Sequence, residues 1–382
     1  MFKITLIPSN KPFFDDTEIE YATASIQSGN IAGDGPFGRK LENKLSDYLE
    51  CKHALLVNSC TSAIEISLFA LGIGPGDEVI CPSFGFVSVA NAILQCGAKP
   101  VFAEIDYETM NLDPAHTEKQ ITTRTRAIIL IHYAGMSCDL VSFSELKEKH
   151  GLYLIEDAAQ ALGSKLQGKA LGTFGDSGCF SLHETKNLTC GEGGIFVTND
   201  DNIAQQAEII REKGTNRSSF LRREVQKYTW VGRGSSYILS DILAAVALAQ
   251  FEKIEPILSS RTKIAEFYQN AFAPYNYITP PTIPDGCKPN WHLFALRINK
   301  LHRDIFLEKL KSKGIGASFH FVPLHSAPYS KTKLKGGNVS LPVTDRVASE
   351  LIRIPIYPQL SNAEKESVVS SMEEVAEELG LE

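Results

Sequence analysis

No stretch of the chain approaches the roughly 18 consecutive apolar residues of a membrane span. Met1 to Asn10 has neither a basic region ahead of a long apolar core nor a cleavage site. Both absences predict a cytosolic protein. Positive charge is not in excess either, since 38 Lys and Arg stand against 45 Asp and Glu for a net charge of −7. With no basic surplus to displace counterions, the expectation is no nucleic-acid partner. The eight cysteines, Cys51, Cys60, Cys81, Cys96, Cys138, Cys179, Cys190 and Cys287, include no C-x-x-C pair, and no histidines cluster at zinc spacing. Most lie in or beside apolar runs, where a cysteine behaves as a small hydrophobe; a reducing compartment and no structural metal are expected. No G-x-G-x-x-G follows the first strand-like run, which argues against a dinucleotide-dependent sugar dehydratase. Repeats and low-complexity tracts are missing too.

What is present is an ordinary globular composition, 43% hydrophobic and 22% charged over 382 residues. That length suits one large and one small domain, divided here at 1–250 and 251–382. A helix is expected over 14–28, a flexible loop, linker or lid over the four-glycine stretch 29–38, and an amphipathic helix over 40–49. Apolar runs of strand length follow at 54–57, 78–81, 100–105, 127–132, 152–155, 178–182 and 194–198. Helical patterns separate them at 61–71, 86–95, 114–121, 143–150 and 202–213. This alternation predicts a mostly parallel sheet flanked by helices, with consecutive strands side by side. Ligands on such sheets bind beyond the carboxyl ends of the strands. A long helix is expected from 239 to about 261, then strands at 293–298 and 317–321 and helices at 303–313 and 361–379, a smaller α+β C-terminal domain.

Chemistry concentrates in Cys179-Phe180-Ser181-Leu182-His183-Glu184-Thr185-Lys186-Asn187-Leu188-Thr189-Cys190-Gly191-Glu192-Gly193-Gly194. It reads as strand, lysine, glycine-rich turn, strand. A lysine so placed can reach a cleft, where its amine forms a Schiff base with an aldehyde such as pyridoxal phosphate; a lone loop lysine is otherwise ordinary solvated surface. Ser59, Cys60 and Thr61 stand where the first strand hands over to a helix, a place for a phosphate or simply for an N-cap. Leu152-Tyr153-Leu154-Ile155-Glu156-Asp157 closes a buried-strand pattern on carboxylates, and Gln160 follows three residues on. Asp157 could pair with a protonated pyridine nitrogen, cap a helix or bind a metal. An aromatic in Pro82-Ser83-Phe84-Gly85-Phe86-Val87 could stack on a flat ring or join the core. Together, phosphate cup, aromatic, strand-end carboxylate and lysine stand in the order a pyridoxal phosphate site needs.

Through Glu156-Asp157-Ala158-Ala159-Gln160, Phe180-Ser181-Leu182-His183-Glu184-Thr185-Lys186-Asn187, Gly191-Glu192-Gly193-Gly194 and Pro82-Ser83-Phe84-Gly85-Phe86-Val87-Ser88, the chain resembles the DegT/DnrJ/EryC1/StrS family of sugar-nucleotide aminotransferases along essentially its whole length. The resemblance implies the α/β fold of type I pyridoxal phosphate enzymes. It implies Lys186 as the cofactor lysine, Asp157 at the pyridine nitrogen, Gln160 near the phenolic oxygen, Phe86 on the ring face, and Cys60, Thr61 and Ser181 around the phosphate. Ile131-His132-Tyr133-Ala134-Gly135, Arg211-Glu212-Lys213-Gly214-Thr215-Asn216-Arg217-Ser218, Lys227-Tyr228-Thr229-Trp230 and Gly234-Ser235-Ser236-Tyr237 are similar to the branch making dTDP-4-amino-4,6-dideoxygalactose. The substrates so implied are glutamate and a dTDP-keto-deoxysugar aminated at C4, with C3 amination or the opposite C4 configuration as the alternative. A catalytically silent binding protein of this fold is the third reading. Candidate sugar-nucleotide contacts are Lys213, Arg217, Lys227, His320 and His325. The family implies a homodimer with shared sites, but the asparagine it commonly supplies across the interface is replaced here by Ile238.

Overall fold

The computed structural model describes residues 6–334 and 339–381. Seven strands form the main sheet: β1 (His53–Val57), β2 (Glu78–Pro82), β3 (Lys99–Ala103), β4 (Thr125–Ile131), β5 (Tyr153–Asp157), β6 (Ser177–Ser181) and β7 (Gly194–Thr198). Their order across the sheet is β1-β7-β6-β5-β4-β2-β3, and β7 alone runs against the rest. β2, β6 and β7 are buried along their whole length, as expected of strands covered on both faces. Alternation assigns the faces. Ile128 and Leu130 of β4 enter one apolar cluster, while Ala127, Ile129 and Ile131 enter the other.

Adjacency of consecutive strands, expected from the sequence, fails at the first step: β1 lies at one edge and β2 five places away. The intervening helix Cys60–Ala70 packs on β6 and β7, so the chain crosses the sheet before pairing again. Hydrophobic periodicity carries no information about that crossing.

The glycine-rich stretch also differs from its expected loop. A helix begins inside it and runs Pro36–Leu49, with Pro36 at its first turn. Its free N–H groups are met from afar, since Asp241 accepts from Gly38 N (2.7 Å) and Phe37 N (3.4 Å). A Cβ on Gly35 would run into that same carboxylate, and one on Gly33 into Ile238. These two glycines admit close neighbours rather than hinge a lid.

The expected long helix is two helices, Asp241–Phe251 and Ile254–Phe272. Glu252 and Lys253 break it because their charges are claimed elsewhere: Glu252 takes Tyr21, Lys40 and Lys44, and Lys253 pairs with Asp15 and Glu18 of the first helical segment. The second helix joins two cores, with Ile254 and Ile257 in the large one and Ile264, Tyr268 and Phe272 in the C-terminal one. That C-terminal core surrounds a three-stranded sheet, Ile278–Thr279, Phe294–Ile298 and Leu351–Ile354. Residues 317–321, expected as a strand, make a single bridge, Ser318 with Arg353, before the aromatic rings of His320 and Phe321 turn onto Tyr133. Ile7 enters this core as well: its N–H donates to Gly314 O (2.8 Å) and its carbonyl accepts from Gly316 N (2.8 Å). A fourth apolar cluster, with Phe84 and Tyr133 from strand ends and Leu293, Val347 and Leu351 from the C-terminal part, closes over the carboxyl edge of the sheet.

Candidate active site

Glu156 and Asp157 end β5 on opposite faces, as strand alternation demands. Glu156 is wholly buried and wholly used. It accepts from His132 Nε2 (2.8 Å) and from the N–H groups of Gly172 (2.8 Å), Phe174 (2.6 Å) and Gly175 (2.7 Å). Burial opposes its charge, but these donors prevail and hold its carboxyl below the usual range. Because Cys138 N–H donates to His132 Nδ1 (3.2 Å), Nε2 carries the imidazole proton toward Glu156.

Asp157 is buried yet underpaired. Its Oδ1 accepts from Ala159 N (3.0 Å), and the Cys60 thiol lies 3.9 Å away. Burial pushes its carboxyl upward, against the pull of Ala159 N–H, Lys186 and His132. A buried carboxylate in this state calls for a cation. The Lys186 amine is shifted too: burial pushes it below the ordinary lysine range, with Arg353 adding to the effect and Asp157 opposing it. Lys186 shares a small cavity with Gln160, Ser181, Asn187, Asn290 and His292. Gln160 Oε1 accepts from Ala134 N (2.7 Å), which leaves its amide N–H2 to donate. Ser181 Oγ accepts a longer bond from His183 N (3.3 Å).

At the start of the helix Cys60–Ala70, Ser59 is the cap, taking Ser62 N–H on Oγ (3.1 Å) and Ala63 N–H on its carbonyl (3.2 Å). The N–H groups of Cys60 and Thr61 then face outward at the positive helix end. Gly194 lets β7 touch this turn, since a Cβ there would strike the Ser59–Cys60 peptide. Thr61 Oγ1 donates to Ser88 Oγ (2.8 Å), bringing the Phe86 segment alongside. The two nearby phenylalanines divide sharply: Phe84 is 1% exposed in the core and Phe86 61% exposed, with a face left free.

These groups suit pyridoxal phosphate. An underpaired buried carboxylate would suit the ring nitrogen, an oriented amide donor the phenolic oxygen, a helix start the phosphate, and a neutralisable lysine the aldehyde. One expected detail shifts: the Cys60 side chain points to Asp157, so toward a phosphate this residue would offer its backbone N–H only.

The expected substrate contacts scatter. His320 lies against the site, with its Nδ1 3.3 Å from Tyr133 Oη; burial, then Arg353 and Lys186, pushes its pKa down to about 2 and keeps it neutral. His325 spends its ring on Ser83 Oγ (2.7 Å) and Asp345 (3.4 Å). Lys213, Arg217 and Lys227 fall on residues 212–238, outside the lysine cavity, and Lys213 pairs with Glu212 (3.0 Å). Ile238 bridges to Val57 of its own chain. Sequence reasoning missed His292, Asn290, Asn187 and Arg353. Asn187 is signalled only by adjacency to Lys186; the others come from the C-terminal part, whose docking no local pattern encodes.

The model of the DegT/DnrJ/EryC1/StrS aminotransferase family matches residues 12–373. The chain belongs to that family. It is 32% identical to the spore coat polysaccharide biosynthesis protein SpsC of Bacillus subtilis, over 97% of each chain. Among solved structures it is similar to S. venezuelae DesV in complex with a ketimine intermediate, at TM-score 0.90 and 32% identity over 98% of this chain and 99% of that one. It is also similar to the PLP form of Streptococcus pneumoniae Spr1654, at TM-score 0.91 and 26% identity over 98% and 99%. As a member of the family it is a pyridoxal phosphate-dependent sugar aminotransferase of fold type I. Among the described residues no helix is long and apolar enough to cross a membrane.

Proposed function

We propose that this enzyme moves the amino group of glutamate to C4 of dTDP-4-dehydro-6-deoxyglucose, giving dTDP-4-amino-4,6-dideoxygalactose. The observation that carries the chemistry is the Lys186 amine, lowered by burial, in a site whose buried carboxylate, Asp157, has no ion-pair partner within 4.0 Å among the described residues. When bound, pyridoxal phosphate supplies an electron sink for the carbanion adjacent to the migrating amine. Lys186 holds the cofactor and, once freed, takes the proton from the donor's α-carbon; a neutral amine at working pH is what that transfer requires. Asp157 keeps the ring nitrogen protonated. Gln160 orients the ring, Phe86 covers a face, and Thr61, Ser181 and the Cys60 N–H hold the phosphate.

An acidic amino donor is supported by Arg353. Its guanidinium is largely buried, donates from Nη2 to Ser318 Oγ (2.6 Å), leaves Nε without a partner and has no carboxylate within ion-pair reach among the described residues. A buried cation without a counter-charge is destabilising until an anion arrives. With Arg353→Gln, half-saturation by glutamate is expected to rise about 10- to 100-fold, the range of a charged hydrogen bond, while that for the keto sugar stays put. Steady-state titration of each substrate checks this, and an unchanged glutamate constant removes Arg353 from the donor site.

A homodimer is supported by residues 212–238, where Leu221, Tyr228, Trp230 and Val231 are exposed together, Trp230 to 80%. Patches of this kind on a single chain mark a partner. On the same segment, Lys213 and Arg217 are suited to the sugar nucleotide's diphosphate in a neighbouring subunit, with Lys227 beside them; His320 suits the sugar. His325, already bonded to Ser83 and Asp345, suits a structural role. Eight free cysteines accord with work in the cytoplasm. The test is to incubate enzyme, glutamate and dTDP-4-dehydro-6-deoxyglucose and read the product by NMR. An axial amine at C4 is expected; nitrogen at C3, or an equatorial amine at C4, refutes the substrate assignment.

A further inference from the structure

Arg261 is 1% exposed and sits on the inner face of the helix Ile254–Phe272, between Ile257 and Ile264. It has no carboxylate partner within 4.0 Å among the described residues, and burial pushes its pKa down to about 9. Its hydrogen bonds go to neutral oxygens: Nη1 donates to the carbonyls of Trp291 (3.0 Å) and His292 (3.2 Å), and Nη2 to Asn10 Oδ1 (2.8 Å). A cation buried among neutral acceptors is an expensive way to tie three segments together, and apolar packing would hold a helix more cheaply.

Both segments that the guanidinium holds lead to the lysine. Asn10 Nδ2 donates to the carbonyl of Thr185 (3.2 Å), the residue before Lys186. On the far side, Asn187 Nδ2 donates to Asn290 O (2.9 Å), and Asn187 Oδ1 lies 3.2 Å from His292 Nδ1. Trp291, between those two anchors, is held at a φ of 50°. A side chain rarely adopts that region unless its surroundings over-determine it. Asn290 is fixed in turn by Ser164 Oγ (2.9 Å) and Leu162 O (3.0 Å). One guanidinium thus reaches, through one intermediary each, the Thr185 carbonyl on one side of Lys186 and the Asn187 side chain on the other.

We propose that Arg261 and Asn10 are positioning residues for Lys186: they fix the Thr185 carbonyl and the Asn187 side chain that flank it, so that the amine is held inside the cavity, out of bulk water. The inference rests on Lys186 being the cofactor lysine. Loosening the brace lets the amine swing toward solvent, where burial no longer disfavours its charge. The groups that act on the amine directly, Asp157, Cys60 and Arg353, are untouched by either substitution proposed below.

The experiment uses the full chain stripped of cofactor. Trinitrobenzenesulfonate labels lysines across a pH series, and peptide mass spectrometry reads the titration midpoint of Lys186, with Lys213 and Lys227 as internal references. Arg261→Lys keeps the charge but loses the fork; Asn10→Ala cuts only the arm to Thr185. Both are expected to move the Lys186 midpoint up toward the ordinary lysine range, and to weaken retention of pyridoxal phosphate about fivefold, as for one lost hydrogen bond. The double variant is expected to go no further than Arg261→Lys, because the two act in series. If Arg261→Lys does not fold, Asn10→Ala alone decides. Variants that melt normally with an unmoved Lys186 midpoint overturn the brace. A wild-type chain in which borohydride fixes no pyridoxal phosphate on Lys186 overturns instead the reading on which the brace rests.

Discussion

With Lys186→Ala, borohydride will fix no pyridoxal phosphate to the chain, and transamination will fall by at least about a thousandfold. The two losses have different origins. Alanine removes the only group proposed to hold the cofactor covalently, so the adduct disappears even where the phosphate is still bound by the start of the helix Cys60–Ala70. It also removes the proposed proton carrier at the donor's α-carbon, and a positioned general base is worth about 10²- to 10⁴-fold. Stability will change little or rise, because burial lowers the pKa of the amine and its charge is disfavoured by folding. Mass spectrometry after reduction, single-turnover kinetics and a melting curve separate these effects. A wild-type rate in this variant would remove Lys186 from the chemistry altogether.

Asp157→Asn gives the second large effect, and a paradoxical one. Asparagine keeps the size and the acceptor for Ala159 N–H but loses the charge. At 4 Å and an effective dielectric near 20, a carboxylate–pyridinium pair is worth about 4 kcal/mol, or roughly a thousandfold in rate if all of it is felt in the transition state. The empty chain, however, will gain stability. Burial raises the folded-state pKa of Asp157 above its unfolded value, so the folded chain binds this proton more tightly than the unfolded one. The contribution therefore favours folding at low pH and turns against it as pH rises past the unfolded pKa. Asparagine, never ionised, escapes that penalty. Cofactor-free Asp157→Asn is expected to melt above cofactor-free wild type at neutral pH, with the difference shrinking in acid. Its further gain on adding pyridoxal phosphate will be smaller than that of wild type. Equal melting points at every pH would show that Asp157 carries no penalty waiting to be relieved.

The parts of this site legible in the sequence are those carried by one strand end at a time. Asp157 closes an apolar strand, Lys186 precedes a glycine turn, and Ser59 to Thr61 open a helix; each is fixed by a neighbour in the chain. What escaped depends on distant partners. The helix starting at Pro36 is capped by Asp241, two hundred residues on, so its glycines read as a loop until that carboxylate is known. The break at Glu252 and Lys253 is made by Asp15, Glu18 and Tyr21. Arg261 did leave a mark: with Ile254, Ile257, Ile264 and Tyr268 it lies on one buried helical stripe, and a cation inside such a stripe signals an interior polar network. Strand order left none, because the crossing from β1 to β2 is set by helix packing on β6 and β7.

The pairing of Ile7 with Gly314 and Gly316, and of Ser9 with Ile356, has a bearing on biogenesis. These residues are synthesised well before their partners, which lie more than three hundred positions further along the chain, so a nascent chain can complete its large sheet while they still wait to dock. A tag or fusion that obstructs residues 7–10 would then leave translation and early collapse intact and spoil the final docking, yielding material that looks folded by circular dichroism but has lost its hold on Thr185.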